Sequence, residues 1–346
     1  MREDSVMAAT GAAPISSLLN VMSEQSQPST SRAAQPTILH QQRIARNGRM
    51  YYSQWYRTYP FPCDDTEQHR LDVMHRAWFE AMGQRLHLAT LRDSPMRILD
   101  VGYGTGIWAL DMAETYPNAE IVAIDIGEDH PVLRGFDNVD FRPNVDFTTN
   151  DWGVETASFD FIHCAMLCGS VPDWRRFVER ISSLLKPGGQ AEFVELDWTP
   201  RCDEQSLPPG SPVSRWWQAM QDASIVNTKP ITYPDDLEAF LEEARCPASS
   251  HHTIEVNTSE NYREYHEDEQ RNVVARWFKL FMFDTNFQSF TGMSMGLLTT
   301  HLGWAPEEVV ALCENVRDIL KDTYSPVYYK LHVVTARKRG GRVSSL

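Results

Sequence analysis

The sequence predicts an α/β fold in which a mainly parallel sheet carries helices on both faces. After Pro95, short apolar runs alternate with segments of helical periodicity. Strands that alternate with helices are joined by right-handed crossovers, and these crossovers cover both sides of a parallel sheet. Hydrophobic residues make up 42% of the 346-residue chain, which is enough material for a sizeable core.

Seven segments are predicted as strands because they are short and rich in apolar residues. They cover residues 98–101, 120–124, 139–141, 159–165, 191–196, 253–256 and 327–335. Helices are predicted over residues 107–116, 173–185, 212–224, 234–244, 266–283 and 305–322. The predicted helices 266–283 and 305–322 separate the last two strands. We expect these two strands to form an antiparallel, hairpin-like pair at the edge of the sheet.

The first 40 residues have the composition of a disordered tail. They are rich in Ala, Ser, Thr, Gln and Pro, and no aromatic residue precedes Tyr51. Such a segment cannot bury enough apolar surface to offset the entropy that is lost on ordering. At the other end, residues 340–346 are predicted as a flexible C-terminus, so the main domain covers residues 95–339.

Residues 41–94 are predicted as a basic, aromatic arm followed by a helical lid. No acid occurs between Arg32 and Asp64, while the strip 49–57 combines arginines with Tyr and Trp. Two interpretations of the strip stay open: a surface arm that packs its rings on the domain, which we favour, or a lid or docking segment. After Asp64, apolar residues recur at the spacing of a helix.

The charge and cysteine content argue against several classes of protein. With 47 acidic and 32 basic residues the net charge is −15, which is unfavourable for a protein that mainly binds nucleic acid. The six cysteines form no C-x-x-C pair, so we expect reduced thiols in a cytosolic or nuclear protein. No apolar run of ~18 residues and no secretory signal is visible, so we expect neither a membrane span nor secretion.

The strongest chemical signal is a glycine loop between the first strand and the first helix of the main domain. Residues 99–106 (LDVGYGTG) place Gly102, Gly104 and Gly106 where the strand passes into the helix. Glycine lets the backbone pass close beneath a ligand, and the helix start offers free N–H groups. Asp125 ends the next strand, where a carboxylate can accept both ribose hydroxyls of an adenosine. The alternative is a turn-forming Asp that accepts backbone N–H groups.

NAD and S-adenosylmethionine (SAM) are the two cofactors considered for such a loop. Dinucleotide sites prefer G-x-G-x-x-G, whereas this chain has G-x-G-x-G, with Ile107 in place of the third dinucleotide glycine. SAM has no pyrophosphate to bind, so the spacing favours SAM. After the third strand, Asp146 can accept from an adenine amino group while Phe147 lies against the ring. The alternative for Asp146 is an ordinary loop carboxylate.

The glycine loop, the strand-end Asp125 and the L-K-P-G-G turn at 185–189 together resemble class I SAM-dependent methyltransferases. This resemblance covers about residues 95–200 and implies a Rossmann-like fold with SAM as cofactor. The candidate cofactor-binding residues are Asp100, Gly102, Tyr103, Gly104, Gly106, Asp125, Ile126, Asp146 and Phe147. No metal site is expected, because Cys164 and Cys168 have no second pair that would complete four ligands.

A closer resemblance, over about residues 47–337, is to the LaeA-like fungal methyltransferases. It rests on segments 61–72 (FPCDDTEQHRLD), 104–108 (GTGIW), 168–171 (CGSV), 195–203 and 266–277. The resemblance implies a role in fungal secondary metabolism. The best-known members of the family are nuclear regulators that associate with velvet-type proteins, and other members belong to biosynthetic gene clusters.

From this resemblance we expect a SAM-dependent methyltransferase that controls secondary metabolism, in the nucleus or otherwise the cytoplasm. Two alternatives stay open: a cluster methyltransferase that acts on a small molecule, and a scaffold that retains the fold and binds partners. One departure from the family is Tyr103, where a small residue or cysteine is usual. Its side chain can point outward or crowd the methionine end of the cofactor.

The catalytic residues are not determined by the sequence. Methyl transfer depends on alignment and exclusion of water, and it needs a base only if the acceptor arrives protonated. Weak candidates for a base near the strand ends are Glu195, Asp197 and His163, of which His163 is better explained as a packed strand residue. Residues 292–296 (GMSMG) match the G-x-S-x-G nucleophile elbow, but no clear strand precedes them, so hydrolase chemistry is rejected.

Overall fold

The computed structural model describes residues 42–92, 95–127, 136–202, 207–208, 210–258, 269–283, 288–321 and 327–340. The predicted disordered tail and nearly all of the predicted flexible C-terminus lie outside these residues. The same holds for the beginning of the predicted helix 266–283 and for Asp203. Within the described ranges, no helix combines the length and apolar character that crossing a membrane requires.

Strands and helices alternate in the first part of the described chain, and helices dominate the second. The strands are β1 (Arg43–Arg46), β2 (Arg49–Tyr52), β3 (Arg97–Val101), β4 (Glu120–Ile124), β5 (Val139–Arg142), β6 (Phe159–Ala165), β7 (Leu185–Arg201), β8 (Ala248–Asn257) and β9 (Tyr328–Arg337). The helices are α1 (Asp65–Ala81), α2 (Ile107–Thr115), α3 (Trp174–Leu184), α4 (Pro212–Val226), α5 (Leu237–Glu243), α6 (Glu269–Phe283), α7 (Ser289–His301) and α8 (Pro306–Leu320). Every strand and helix predicted for the main domain is present; β4 and β6 have the predicted ends, and the other elements have shifted ends.

Strands β3 to β9 form one seven-stranded sheet in the order β5-β4-β3-β6-β7-β9-β8. The pairings from β5 to β7 are all parallel, whereas β9 is antiparallel to both β7 and β8. The predicted mainly parallel sheet with a late antiparallel pair is confirmed. The chain leaves β3 towards β4 on one side and continues to β6 on the other. The carboxyl ends of these strands therefore open a crevice of the kind in which α/β sheets bind ligands.

The L-K-P-G-G segment follows α3, as predicted, but forms the irregular first part of the long strand β7. Phe159 of β6 pairs with Leu185 and Phe161 with Gln190, so the register shifts across the segment. Gly188 has a φ of +79°, in the left-handed region. A Cβ at Gly189 would lie 3.0 Å from the carbonyl oxygens of Lys186 and Phe159, so a side chain there would meet backbone atoms.

A β-hairpin that the sequence interpretation missed forms the first part of the arm. Strands β1 and β2 are antiparallel, and the turn residues Asn47 and Gly48 have φ angles of 49° and 79°. Asn-Gly is a preferred two-residue hairpin turn, so the signal was present. Tyr51 in β2 is fully buried and packs edge-to-face on Tyr56. Cε1 of Tyr51 lies 3.2 Å from the position that a Cβ of Gly296 in α7 would take, so this ring packs on the main domain, as the favoured interpretation expected.

Helix α7 was also not predicted, and it contains the GMSMG segment. The helix carries no Asp, Glu, Lys or Arg and is buried along most of its length, so no polar face marks it in the sequence. The hydroxyl of Ser294 accepts a hydrogen bond from Nε1 of Trp216 at 2.8 Å. A serine inside a buried helix is not a nucleophile elbow, which supports the rejection of hydrolase chemistry. A Cβ at Gly296 would lie 2.1 Å from the carbonyl oxygen of Pro60, so α7 packs closely against the arm.

Candidate active site

A cleft lies at the carboxyl ends of β3, β4 and β6, with α1 along its opposite wall. Eight of the nine predicted cofactor-binding residues line it: Asp100, Gly102, Tyr103, Gly104, Asp125, Ile126, Asp146 and Phe147. The ninth, Gly106, is the N-cap residue of α2 and is not among the lining residues. The structure therefore brings the predicted residues together, and Gly106 shapes the turn into the helix.

The glycine loop runs close to the loop that follows β6. Gly102, Gly104 and Gly106 have φ angles of +75°, +56° and +81°. Residues that carry a side chain rarely adopt this backbone conformation. A Cβ at Gly102 would lie 2.8 Å from Cδ2 of Leu167. Gly102 therefore allows the glycine loop to lie close to the loop after β6, because a side chain at this position would meet Leu167.

Asp125 places its carboxylate in the cleft wall at the end of β4. Its Oδ2 accepts a hydrogen bond from the N–H of Gly104 at 2.9 Å, and its Oδ1 accepts one from the N–H of Gly127 at 2.6 Å. Burial raises the pKa of Asp125 to about 6. The turn-forming bonds of the alternative interpretation are present, yet each carboxylate oxygen keeps a second acceptor position for a ligand hydroxyl. Contact with a ribose stays a prediction.

Asp146 and Phe147 follow β5 on the same side of the cleft. Oδ1 of Asp146 accepts hydrogen bonds from the N–H and the hydroxyl of Thr148, at 2.8 and 2.7 Å. The ring of Phe147 packs on Phe177 with 5.6 Å between centroids. These contacts hold both residues in place, and a role at an adenine stays a prediction.

Tyr103 also lines the cleft without projecting freely into it. Only 6% of the residue is exposed, and its ring packs edge-to-face on Phe141 of β5 with 5.3 Å between centroids. The ring is therefore held against the sheet edge, which leaves space beside the glycine loop.

Asp100 is buried at the base of the cleft and has an unpaired oxygen. Its Oδ1 lies 3.4 Å from Nδ1 of His163, while Oδ2 has no hydrogen-bond partner among the described residues. A buried acceptor without a partner is unfavourable, so a donor from a ligand would satisfy it. His163 stacks on Trp108 with 3.8 Å between centroids and an angle of 4°, which agrees with a packed strand residue.

Glu195 and Asp197, the other candidates for a base, are engaged behind the wall of the cleft. The carboxylate of Glu195 accepts hydrogen bonds from the N–H groups of Leu167 and Cys168, at 2.8 and 3.1 Å. Burial raises the pKa of Glu195 to about 7. Asp197 forms an ion pair with Arg201. Neither carboxylate is among the lining residues, so Glu195 supports the loop that carries Leu167 and does not face a ligand directly.

The opposite half of the cleft is mainly apolar, and α1 supplies part of it. Its apolar side chains are Leu71, Met74, Trp78 and Phe79 of α1, Met82 at the C-cap of this helix, and Ile107, Trp108, Met166 and Val194. The side chains of His75 and Arg85 also line the cleft. The helical spacing of the α1 residues was visible in the sequence. Their position in the cleft was not, because the spacing alone does not say which surface a helix covers.

Buried ion pairs hold α1 to the arm. The guanidinium of Arg49 donates to both carboxylate oxygens of Asp64 at 2.8 Å. Asp64 in turn caps α1 by accepting a hydrogen bond from the N–H of Glu67 at 3.0 Å. The Asp64 pKa is lowered because the bonds from Arg49 and from backbone N–H groups outweigh its burial. The arm and the helical wall of the cleft are therefore linked.

Comparisons with known proteins agree with this geometry. Residues 74–245 match the family model described as a methyltransferase domain. The secondary metabolism regulator laeA of Monascus pilosus is 33% identical over 293 residues, covering 84% of this chain and 77% of the relative. The secondary metabolism regulator LAE1 of Cochliobolus heterostrophus is 33% identical over 297 residues, covering 84% and 94%. The protein-methionine methyltransferase laeA of Emericella nidulans is 31% identical over 293 residues, covering 84% and 75%.

The match to a methyltransferase domain confirms the class of enzyme predicted from the glycine loop and the L-K-P-G-G turn. These residues fit the predicted cofactor. The oxygen of Asp100 that lacks a partner among the described residues suits the ammonium group of SAM, and the strand-end carboxylate of Asp125 suits the ribose hydroxyls.

Proposed function

Since the chain belongs to the LaeA family of fungal secondary metabolism regulators and carries a methyltransferase domain, we propose that it transfers the methyl group of SAM to an acceptor in the apolar half of the cleft. The observation that carries this proposal is the division of one cleft into two halves of opposite chemistry. The half at the strand ends offers carboxylates and glycine backbone, and the half along α1 offers aromatic and aliphatic side chains.

In this proposal the strand-end residues hold SAM. Asp125 accepts hydrogen bonds from the ribose hydroxyls, Asp146 accepts one from the adenine amino group, and Phe147 lies against the adenine. The unpaired oxygen of Asp100 accepts from the ammonium group of the methionine part. Gly102 lets the glycine loop pack against the loop after β6, where a side chain would meet Leu167.

When bound, SAM supplies a methyl group that is already activated on a sulfonium. The chain itself must therefore align the acceptor with that methyl group and keep water away. Trp78, Phe79 and Trp108 are each less than a tenth exposed and form a rigid apolar wall. Such a wall suits the apolar body of an acceptor, since its burial is favourable and excludes solvent.

Cofactor binding is tested by thermal unfolding and calorimetry on the full chain with SAM and with S-adenosylhomocysteine. At about 100 times its dissociation constant, a ligand that binds only the folded state adds ~2.7 kcal/mol of stability. We expect both compounds to raise the melting temperature and NAD to leave it unchanged. A shift with NAD and none with SAM would overturn the assignment of the cofactor.

The acceptor class is tested with SAM that carries a labelled methyl group and an extract of fungal cells. Label in protein supports a regulator that modifies proteins, and label in small molecules supports the cluster enzyme. A chain that binds S-adenosylhomocysteine but transfers no label to either fraction would instead be a scaffold that retains the fold.

The proposal extends to nuclear location and to association with velvet-type proteins, both of which the family resemblance implies. A fluorescent fusion locates the protein in the cell, and co-precipitation tests the association. Measuring SAM turnover with and without the velvet-type protein then separates a partner-dependent enzyme from a scaffold. Cytoplasmic fluorescence with no co-precipitation would contradict this part of the proposal.

A further inference from the structure

A histidine–carboxylate pair in the cleft takes no part in the proposed cofactor site. His75 of α1 lines the cleft, and its Nε2 lies 2.9 Å from Oδ2 of Asp111 on α2. The Asp111 side chain is fully buried, whereas 13% of the His75 side chain is exposed. Oδ1 of Asp111 has no hydrogen-bond partner among the described residues. The pair therefore joins two walls of the cleft, and only the imidazole is open to it.

The pair lies beside the glycine loop. Leu71 and His75 are four residues apart and share one face of α1. Cδ1 of Leu71 lies 3.7 Å from the position that a Cβ of Gly104 would take. Ile107, which precedes Asp111 by four residues on α2, also lines the cleft. His75 thus lies one helical turn from a residue in contact with the loop that is proposed to hold SAM.

The hydrogen bond decides which nitrogen of His75 is basic. An ionised carboxylate only accepts hydrogen bonds, so Nε2 carries the proton shared with Asp111. In the neutral ring, Nδ1 then holds the lone pair. A histidine oriented by a buried carboxylate in this way is the general base of many unrelated enzymes.

We propose that His75 is the general base of the methyl transfer and that Asp111 is its positioning residue. This inference rests on the proposed methyltransferase function, and it makes the acceptor an apolar compound that carries a hydroxyl group. As the acceptor oxygen bonds the methyl carbon, the carbon–sulfur bond breaks, its electron pair stays on sulfur, and the hydroxyl proton moves to Nδ1 of His75. The positive charge passes from sulfonium to imidazolium, which the Asp111 carboxylate stabilises.

His75 is better placed for this role than the three candidates named from the sequence. Glu195 and Asp197 are not among the residues that line the cleft. One face of the His163 ring is covered by Trp108, and its Nδ1 is directed to the Asp100 carboxylate. His75 instead belongs to the helix that supplies the apolar half, where the acceptor is proposed to bind.

The first test reads the tautomer of His75 in the full chain saturated with S-adenosylhomocysteine. Long-range ¹H–¹⁵N correlation spectra distinguish the Nε2–H, Nδ1–H and doubly protonated rings, and a His75→Gln sample assigns the signal. We expect the neutral ring to carry its proton on Nε2. A neutral ring that carries its proton on Nδ1 would overturn the proposal, because it has no lone pair on Nδ1.

The second test measures transfer of labelled methyl into the fungal extract. His75→Gln keeps an N–H group for Asp111 but has no basic nitrogen. We expect its rate to fall at least ~100-fold, the lower range for a general base, with unchanged affinity for S-adenosylhomocysteine. His69 is exposed on the same helix, and His69→Gln should change neither quantity. In His75→Ala, added imidazole should restore part of the rate, which a purely structural role would not predict.

The outcomes separate this inference from the proposed function. A wild-type chain that transfers label while His75→Gln transfers it equally well overturns the inference alone. That result would also follow from an acceptor without a proton to lose, such as a thioether. A wild-type chain that binds no S-adenosylhomocysteine overturns the proposed function and the inference together.

Discussion

The two halves of the cleft differ in how their residues are distributed along the chain. The strand-end half comes mainly from one stretch of alternating strands and helices, between Asp100 and Phe147. The apolar half joins α1 to side chains as distant as Val194. A local motif therefore predicts the chemistry of the strand-end half, whereas the apolar half exists only once α1 lies across the sheet.

Part of the apolar half belongs to a different hydrophobic cluster from the strand-end half. Met74, Trp78 and Met82 pack in the cluster formed with the late helices, which includes Phe278 of α6. Phe79 and Trp108 instead pack in the same cluster as Tyr103 of the strand-end half. Changes at Met74, Trp78 and Met82 should thus act mainly on stability, and changes at the strand-end carboxylates mainly on cofactor affinity.

Trp78→Ala should have the largest effect on stability. Trp78 is 4% exposed, and its ring lies 5.9 Å from that of Phe278. Removing a buried aromatic side chain typically costs ~3–5 kcal/mol. We expect a loss of this size in denaturant unfolding, with unchanged affinity for S-adenosylhomocysteine per folded molecule.

Two variants control this experiment. His69 is exposed on the same helix, so His69→Ala should lower the free energy of unfolding only slightly. Trp78→Phe keeps a ring in the cluster, so it can be measured if Trp78→Ala does not fold. If the cofactor affinity of Trp78→Phe fell while its stability held, the assignment of Trp78 to the apolar half would be wrong.

The free energy of unfolding should depend on pH because burial raises the pKa of Glu195 in the folded chain. Its pKa is about 7 in the folded chain and about 4.5 in an unfolded one, so the folded state binds the proton more tightly. The free energy of unfolding should therefore fall by on the order of 3 kcal/mol as pH rises from 4.5 to above 7. Unfolding curves of wild type and Glu195→Gln across this range give the difference.

Only the difference between the two proteins reports on Glu195, since other groups also titrate. Glu195→Gln should remove the part of the slope of unfolding free energy against pH that is due to this carboxylate. Glu114 is exposed on α2, so Glu114→Gln should leave the slope as it is in the wild type. Equal slopes in wild type and Glu195→Gln would mean that the carboxylate is not the proton-binding group.

Asp125→Ala should act on affinity and leave the fold intact. Hydrogen bonds to a charged group are worth roughly 1.5–3 kcal/mol, so SAM binding should weaken by at least ~10-fold. Asp125→Asn should be intermediate because it loses the charge and one acceptor. Isothermal titration on the folded variants, with circular dichroism as a check, measures both.

The alternative for Asp125 gives the opposite pattern. If the carboxylate serves only Gly104 and Gly127, the alanine variant loses stability but binds SAM with unchanged affinity per folded molecule. Asp140 on β5 is exposed and lies outside the cleft lining, so Asp140→Ala is the matched control.

Deletion of residues 1–40 should have the smallest effect. The segment has no aromatic residue and lacks the apolar clusters that could join either half of the cleft. We expect the melting temperature and the SAM affinity to stay nearly unchanged in the truncated chain. A much lower melting temperature would show that the segment packs on the domain.

Most of the fold and of the strand-end half of the cleft could be predicted because both depend on residues that are neighbours in the sequence. The strands of the sheet appear as short apolar runs, and the glycines of the loop adjoin the end of β3. Helix α7 was missed because a helix that is buried along most of its length has no charged face and therefore shows no clear helical pattern. The β1–β2 hairpin was missed although its Asn47-Gly48 turn is a local signal.

By itself, the sequence determined the α/β class, the glycine loop and the carboxylates that follow the strands, since periodicity and local spacing specify them. Only the tertiary structure decided which carboxylates face the cleft. Asp125 lines it while Glu195 supports a loop behind it, although each follows an apolar run. Likewise, Asp111 became the partner of His75 only when α1 packed beside α2. The exposure and partners of a side chain depend on the elements packed against it, and those elements lie far away in the chain.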